Sequence, residues 1–174
     1  DYIQQFDCTK FKTRFACEVK DFDPLDYFDR KEARKIDRFT QLSLIASDEA
    51  VKDAGITKEN VNPDRVGVIF GSGIGGITTF QDDVIEFARG DGTPRFNPFF
   101  IPKMILDIAA GQISMRYGFR GPNFAVVSAC ASSTNAIIDA YDNIRLDKAD
   151  IVLTGGSEAV ILELGVGGFS LHGA

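Results

Sequence analysis

Three short apolar runs lie along the chain, each bounded by charged or turn-forming residues. They read RVGVIF at 65–70, FAVVSA at 124–129 and IVLTGG at 151–156. Apolar runs of this length, with no polar alternation, are typical of strands that are buried on both faces of a parallel sheet. They predict three buried strands.

Between these runs, apolar residues recur at helical spacing. The segment 30–54 opens with charged residues and ends before Gly55, and its apolar stripe consists of Ile36, Phe39, Leu42, Ile45 and Ala46. This spacing predicts a single helix from Arg30 to Ala54, with the glycine as its C-terminal stop. Further helices are predicted at 77–88, 99–118 and 132–144, whereas residues 1–28 and 89–98 are predicted to be irregular.

Strands that alternate with helices predict an α/β fold with a largely parallel sheet. The 174 residues are enough for about one domain. No internal repeat and no linker divides them, so we expect residues 1–174 to form one domain.

The chain is acidic, with a net charge of −6. This balance argues against general nucleic-acid binding, although it leaves room for a local basic patch. No apolar run approaches the roughly 18 residues of a membrane-spanning helix, and no segment resembles a signal peptide. Because the chain begins with Asp1 rather than Met, we expect an N-terminal piece to be missing.

The three cysteines are Cys8, Cys17 and Cys130. Their number is odd and their spacing fits no zinc site. Without a secretion signal, the simplest interpretation is reduced thiols in the cytoplasm.

The stretch GSGIGG, with Gly71, Gly73 and Gly76, matches the spacing of a dinucleotide-binding loop after a strand. That function also requires a second strand that ends in an acidic residue about twenty positions later. Here that position falls in the loop RGDGTPRFNP. The favoured interpretation is that the glycines let the backbone pass close to another element or line a channel.

Cys130 lies among small residues where a strand ends and a helix begins, in VVSACASSTNA. The free amide groups and the dipole of a helix N-terminus stabilise a thiolate. The same amides can bind the oxyanion that forms when the sulfur attacks a carbonyl. Position alone fits equally a nucleophile and a buried cysteine that acts as a small apolar residue.

Two other features allow more than one interpretation. His172 is the obvious base for a thiol, yet it lies near the end of a glycine-rich tail with no orienting partner nearby, which is typical of a surface histidine.

The basic cluster Arg30, Lys31, Arg34 and Lys35 is either a solvated helix face or, in this acidic chain, a docking face for an acidic partner.

Several motifs together resemble one family. VVSACASSTNAIIDAYDNIRLDKADIVLTGGSEA resembles the nucleophile region of the β-ketoacyl-acyl-carrier-protein synthases of bacterial fatty-acid synthesis. RKEARKIDRFTQ, GSGIGG, NPFFIPKMILDIAAGQIS and YGFRGPN resemble the type II elongating synthases, in the same order. The resemblance extends from about Phe11 onward and concerns the N-terminal half of that family.

The resemblance implies a thiolase-like fold, in which two similar α/β halves form an αβαβα layered architecture. It also implies a decarboxylative condensation. A cysteine takes an acyl chain from an acyl carrier protein as a thioester, and a carbanion made from malonyl carrier protein attacks it. The product is a β-ketoacyl chain two carbons longer, and no cofactor or metal is implied. The family forms homodimers.

The resemblance also assigns roles to single residues. Cys130 matches the nucleophile. Ile74 matches a residue at the boundary of the acyl pocket, and Phe100 matches an aromatic that lines the acyl channel. A last group matches the basic helix that binds the acidic carrier protein, namely Lys31, Arg34 and Lys35.

The chain also departs from the family pattern. The first strand and the whole second half are absent, and that half carries two catalytic histidines, a lysine and part of the oxyanion hole. His172 matches neither histidine. We therefore expect the 174 residues alone to be an incomplete domain that cannot decarboxylate a malonyl group.

Three hypotheses follow. The first is an elongating synthase, or a related synthase of a polyketide or aryl-polyene pathway. The second is a partner subunit of the chain-length-factor kind, against which the presence of Cys130 argues. The third is a catalytically incomplete fragment that binds carrier protein.

Overall fold

The computed structural model describes residues 1–171. Residues 1–29 are mostly irregular, as expected, with one short 3₁₀ turn at Pro24–Asp26. The elements that follow are α1 Arg30–Ala33, α2 Arg38–Asp53, β1 Val66–Gly71, α3 Ile77–Arg89, α4 Phe100–Met104, α5 Ile108–Tyr117, β2 Asn123–Val126, α6 Ser132–Arg145, β3 Ile151–Gly156 and α7 Glu163–Leu171.

The three predicted strands form one parallel sheet with β1 in the centre, in the order β2-β1-β3. Val68 of β1 is opposite Asn123 of β2, and Val66 is opposite Ile151 of β3. All six residues of β1 are buried, as its uniformly apolar sequence predicts. The same prediction is wrong for β2 and β3, whose residues are half-buried or exposed because each strand lies at an edge of the described sheet.

Alternate residues of β1 face two different helix layers, because side chains alternate along a strand. Val66, Val68 and Phe70 join a core formed with α2 and α5. Ile69 joins a smaller core on the other face, where it packs with Ala136 and Ala140 of α6. The carboxyl ends of β1 and β3 therefore lie beside the start of α6.

The prediction of one helix from Arg30 to Ala54 is wrong, because the chain breaks between α1 and α2. Asp37 is buried at the break and caps α2 by accepting a 3.2 Å hydrogen bond from the backbone N–H of Phe39. Its other oxygen accepts from the backbone N–H of Thr79 at 3.0 Å and from the threonine hydroxyl at 2.5 Å. This tertiary contact fixes the break.

The predicted helix at 99–118 also divides, into α4 and α5. Ile105 is extended at the C-terminus of α4. The backbone N–H of Gly76 donates a 3.2 Å hydrogen bond to the carbonyl oxygen of Met104. The glycine loop thus satisfies a carbonyl group that the end of α4 leaves without a helical partner.

Two further boundaries differ from the sequence prediction. β2 ends at Val126, three residues earlier than expected, because the chain turns toward Cys130. The glycine-rich segment after residue 162 forms α7. Within residues 1–171, no helix is long and apolar enough to span a bilayer.

Candidate functional site

A cavity of about 520 Å³ opens where β1 and β3 end and α6 begins. In open α/β sheets this edge is the usual position of a binding site. Cys130 and Ile74 both line the cavity. The remaining lining residues are Gly71, Ser72, Gly73, Ala129, Ser132, Ser133, Gly156, Ser157, Glu158, Val160 and Phe169.

Cys130 occupies the middle of a 3₁₀ turn, Ala129–Ala131, immediately before α6. The thiol is exposed, so the structure does not support a buried packing role for it. Ala129 has a φ of +50°, in the left-handed region that non-glycine residues rarely adopt. Such strain is common at functional sites, where the surrounding structure must enforce it.

Ser132 holds this turn in place. Its buried hydroxyl donates a 2.7 Å hydrogen bond to the carbonyl oxygen of Ala129 and accepts a 2.9 Å hydrogen bond from the backbone N–H of Ser128. The side-chain amide of Asn135 donates to the hydroxyl of Ser128 at 2.7 Å. Serine and asparagine side chains of α6 thus hold the two residues that precede Cys130.

The first turn of α6 has no side-chain cap among the described residues. The backbone N–H of Ser132 donates to the carbonyl oxygen of Ala129, and no side chain caps the N–H groups that follow it in this turn. A thiolate or an oxyanion near Cys130 meets the positive end of a 14-residue helix. The arrangement suits a cysteine that attacks a carbonyl carbon.

Glycines allow the strands to approach α6 this closely. A Cβ atom on Gly71 would lie 2.5 Å from the carbonyl carbon of Ser132, and one on Gly156 would collide with the Ser133 hydroxyl. A Cβ atom on Gly76 would collide with the carbonyl oxygen of Lys103. The interpretation of Gly71, Gly73 and Gly76 as glycines that permit close approach to another element is confirmed, and the first two also line the cavity.

The amides of the GSGIGG loop already have an acceptor, the carboxylate of Glu158. Its Oε2 accepts hydrogen bonds from the backbone N–H groups of Gly73 at 2.7 Å and Ile74 at 3.2 Å. Its Oε1 accepts from the hydroxyl of Ser72 and the backbone N–H of Gly75, both at 3.2 Å. Sequence reasoning missed Glu158, since its one signal was an acidic residue after a glycine-terminated strand.

The structure brings Ile74 to the cavity but not Phe100. Ile74 is about one-third exposed and lines the same cavity as Cys130. Phe100 begins α4 and is part of an aromatic row, with its ring centroid 5.4 Å from that of Phe96, which stacks on Phe87 at 5.2 Å. Among the described residues, Phe100 is not in the cavity lining.

The basic residues Lys31, Arg34 and Lys35 are exposed on and just after α1. Asp29 caps this helix, with hydrogen bonds of 2.7 and 2.9 Å from backbone N–H groups. The N–H groups of Glu32 and then Lys31 lower the pKa of Asp29 below the ordinary aspartate value. The ammonium of Lys35 lies 5.5 Å from the ring centre of Phe99, the residue before α4.

His172, the single histidine of the sequence, lies outside the described residues 1–171. Over that described range, no three His, Cys, Asp or Glu side chains are grouped as a metal site requires.

Comparison with known proteins identifies the family. Residues 5–174 match the model of the β-ketoacyl synthase N-terminal domain. This match covers nearly the whole chain, and the arrangement of Cys130 at the start of α6 is compatible with a condensing enzyme. The chain belongs to the β-ketoacyl synthase family, as its sequence resemblance indicates.

Curated relatives agree with this assignment. The chain is 43% identical over 170 residues to 3-oxoacyl-[acyl-carrier-protein] synthase 2 of Staphylococcus aureus strain N315, covering 98% of this chain and 41% of the relative. It is 39% identical over 168 residues to the protein of that name from a Synechocystis species, covering 97% of this chain and 40% of the relative. The chain thus spans about two-fifths of the length of these relatives.

Solved ketosynthases have the same fold. A β-ketoacyl synthase from Burkholderia phymatum superposes with a TM-score of 0.81 at 26% identity, over 95% of this chain and 41% of that chain. A type II polyketide ketosynthase, solved with its acyl carrier protein and a hexaketide, superposes with a TM-score of 0.79 at 26% identity. This match covers 86% of this chain and 43% of the ketosynthase chain. The prediction of a thiolase-like α/β fold, with this chain covering part of the first half, is confirmed.

Proposed function

We propose that this chain is the N-terminal part of an elongating β-ketoacyl-acyl-carrier-protein synthase, with Cys130 as its nucleophile. The observation that carries the proposal is the exposed thiol at the uncapped N-terminus of α6, in the wall of a cavity. The identity of 43% to an elongating synthase supports this choice of reaction.

The proposed reaction begins when the Cys130 thiolate attacks the carbonyl carbon of an acyl carrier thioester. The bond between the acyl carbon and the carrier sulfur breaks, the carrier leaves as a thiolate that water then protonates, and the acyl chain remains on the cysteine. Malonyl carrier protein then loses CO₂, and the resulting carbanion attacks the new thioester. The bond to Cys130 breaks, which regenerates the thiolate and releases a β-ketoacyl chain two carbons longer. Ile74 and Phe100 are proposed to contact the acyl chain.

The carrier protein is proposed to dock on Lys31, Arg34 and Lys35. All three side chains are exposed and cationic in an otherwise acidic chain, so they attract an acidic partner selectively. The solved polyketide ketosynthase in complex with its acyl carrier protein shows that a relative of this fold binds such a partner. By the same resemblance, we propose a cytoplasmic homodimer.

We also propose that residues 1–174 form one incomplete domain and that a second half packs against α6. One face of this helix leaves large apolar side chains between 45% and 60% exposed, namely Ile137, Ile138, Tyr141 and Ile144. A contiguous apolar surface of this kind normally lies at an interface. The missing half would supply the histidines that the resemblance requires for decarboxylation.

A second candidate function is the same condensation reaction in a polyketide or aryl-polyene pathway. Solved neighbours include a polyketide ketosynthase and a ketosynthase with its chain length factor. Both are less similar in sequence, at 26% and 25%, than the elongating synthases at 43% and 39%. Fatty-acid elongation is therefore the preferred function, and a chain-length-factor role is disfavoured by Cys130.

The test is a condensation assay with the complete polypeptide. We expect release of CO₂ and a β-ketoacyl carrier product from acyl and malonyl carrier proteins, and no product from Cys130→Ala. The isolated 174-residue chain is expected to release no CO₂. Condensation by Cys130→Ala would refute the assignment of the nucleophile, and decarboxylation by the isolated chain would refute the need for a second half.

A further inference from the structure

Glu158 connects two segments that lie far apart in sequence. It follows β3, yet both of its carboxylate oxygens bind the loop after β1, more than 80 positions earlier. Three consecutive backbone N–H groups, those of Gly73, Ile74 and Gly75, converge on this one carboxylate. Successive amides that converge in this way form a concave anion-binding site.

The side chain therefore occupies the site that a phosphate group takes in a nucleotide-binding glycine loop. With this side chain in place, the amides of GSGIGG are not free to bind the phosphates of a dinucleotide. The carboxylate is also fully engaged, because each oxygen accepts two hydrogen bonds. All four donors belong to the loop after β1, so the effect of the carboxylate on the site is structural.

That effect concerns Ile74. The loop contains Gly73, Gly75 and Gly76, which restrict the backbone very little, and Gly75 has a φ of +74°. Without the carboxylate, the N–H groups of Gly73 and Ile74 would lose their acceptor, and that of Gly75 would keep only the Ser72 hydroxyl, 3.1 Å away. The position of the Ile74 side chain in the cavity wall thus depends on the Glu158 carboxylate.

We propose that Glu158 is a positioning residue that holds Ile74 against the acyl chain on Cys130 and thereby sets which chain lengths the enzyme accepts. This inference rests on the proposed condensing function. It assigns Glu158 no role in the chemistry of the thiol. Loss of the carboxylate should change the shape of the cavity and leave the nucleophile in place.

The experiment compares Glu158→Gln with the wild type, both as complete polypeptides. Acylation of the enzyme is measured with hexanoyl and myristoyl carrier proteins in competition. We expect the ratio of the two kcat/KM values to shift by roughly tenfold, which is the usual scale of discrimination by pocket shape. Alkylation of Cys130 by iodoacetamide should stay within about twofold of the wild-type rate, since the Ser132 hydrogen bonds remain.

Two controls separate positioning from general damage. Glu163→Gln changes a nearby exposed glutamate that binds Gln81 at 2.8 Å instead of the glycine loop, and it should leave the ratio unchanged. In an Ile74→Ala background, Glu158→Gln should produce no further shift, because the side chain that it positions is gone. Ser72→Ala removes one of the four donors and should shift the ratio in the same direction but less.

An unchanged ratio in an active Glu158→Gln enzyme would overturn the inference. An equal fall in kcat/KM for both acyl carriers, together with loss of Cys130 alkylation, would also overturn the inference. That result would mean that Glu158 only maintains the fold. If Glu158→Gln does not fold, Ser72→Ala replaces it in the comparison. An unchanged ratio of the two kcat/KM values in Ser72→Ala would then overturn the inference. A wild-type enzyme that forms no acyl-enzyme at all would instead refute the proposed function.

Discussion

Ser132 and Ala129 are joined by a 2.7 Å hydrogen bond from the serine hydroxyl to the alanine carbonyl oxygen. The bond closes the turn that carries Cys130 and helps to hold Ala129 at its unfavourable φ of +50°. The same hydroxyl accepts from Ser128 on the other side of the cysteine. The thiol is therefore positioned by a side chain on α6, and this arrangement can be tested directly.

Replacing Ser132 by alanine should weaken the site more than it weakens the fold. The partly buried N–H of Ser128 loses its acceptor, at a cost of about 1 kcal/mol. The turn then relaxes, and we expect acylation of Cys130 to slow by roughly tenfold. Single-turnover acylation and a urea-unfolding midpoint measure the two effects. Thr134→Ala, an exposed change further along α6, is the control. An unchanged acylation rate in Ser132→Ala would show that Ser132 does not position Cys130.

A pair of identical substitutions tests the close packing of β1 on α6. Gly71→Ala places a Cβ atom 2.5 Å from the Ser132 backbone, which cannot move aside, and should destabilise the protein by about 1–3 kcal/mol or more. Gly111→Ala, within α5, meets no atom within 4 Å and should stabilise it by about 0.5–1 kcal/mol. Thermal unfolding of both variants checks this, and equal effects would show that the glycine contacts are not tight.

Charge reversal tests the basic face. Lys31→Glu, Arg34→Glu and Lys35→Glu should each raise KM for the acyl carrier by about two- to fivefold, because exposed ion pairs contribute up to about 1 kcal/mol. The effect should shrink at high salt, which screens exposed charges. Activity with a small-molecule acyl thioester should not change. Lys58→Glu, at an exposed position outside this face, is the control. Equal losses with the carrier and the small thioester would rule out a docking role.

The cap of α1 should respond to acid. Hydrogen bonds from the N–H groups of Glu32 and Lys31 lower the pKa of Asp29, so its folded pKa lies below its unfolded value. The stabilisation is therefore complete above the ordinary aspartate pKa of about 3.9 and is lost as the pH falls through the lowered folded value. An asparagine at this position would still cap the helix but would not titrate, so we compare wild type with Asp29→Asn across this range. The stability difference should change in favour of Asp29→Asn as the pH falls, and a constant difference would show that the cap does not titrate.

Much of the sheet could be predicted because the strands are locally unambiguous. Val66, Val68 and Ile69 belong to a run with no polar alternation, and such a run has few stable alternatives to a buried parallel strand. The close approach of Gly71 also followed from sequence, since the surrounding motif did not satisfy the requirements of a nucleotide site.

The features of the fold and the site that could not be predicted depend on contacts between segments far apart in sequence. The break before α2 exists because Asp37 binds Thr79, 42 positions later, and no local pattern shows that pairing. Glu158 was missed for the same reason, because its partners lie in the loop after β1. The aromatic expectation for Phe100 stays a prediction, since the acyl channel would include parts that these residues do not contain.

The role of Cys130 as nucleophile is tested by the mass of the complete polypeptide after incubation with an acyl carrier thioester alone. We predict one added acyl group per chain, located on the peptide that contains Cys130 and released by hydroxylamine. Cys8→Ser and Cys17→Ser should acquire the same mass, whereas Cys130→Ala should acquire none. An acyl group on another residue, or none on a folded wild-type enzyme, would show that Cys130 is not the nucleophile.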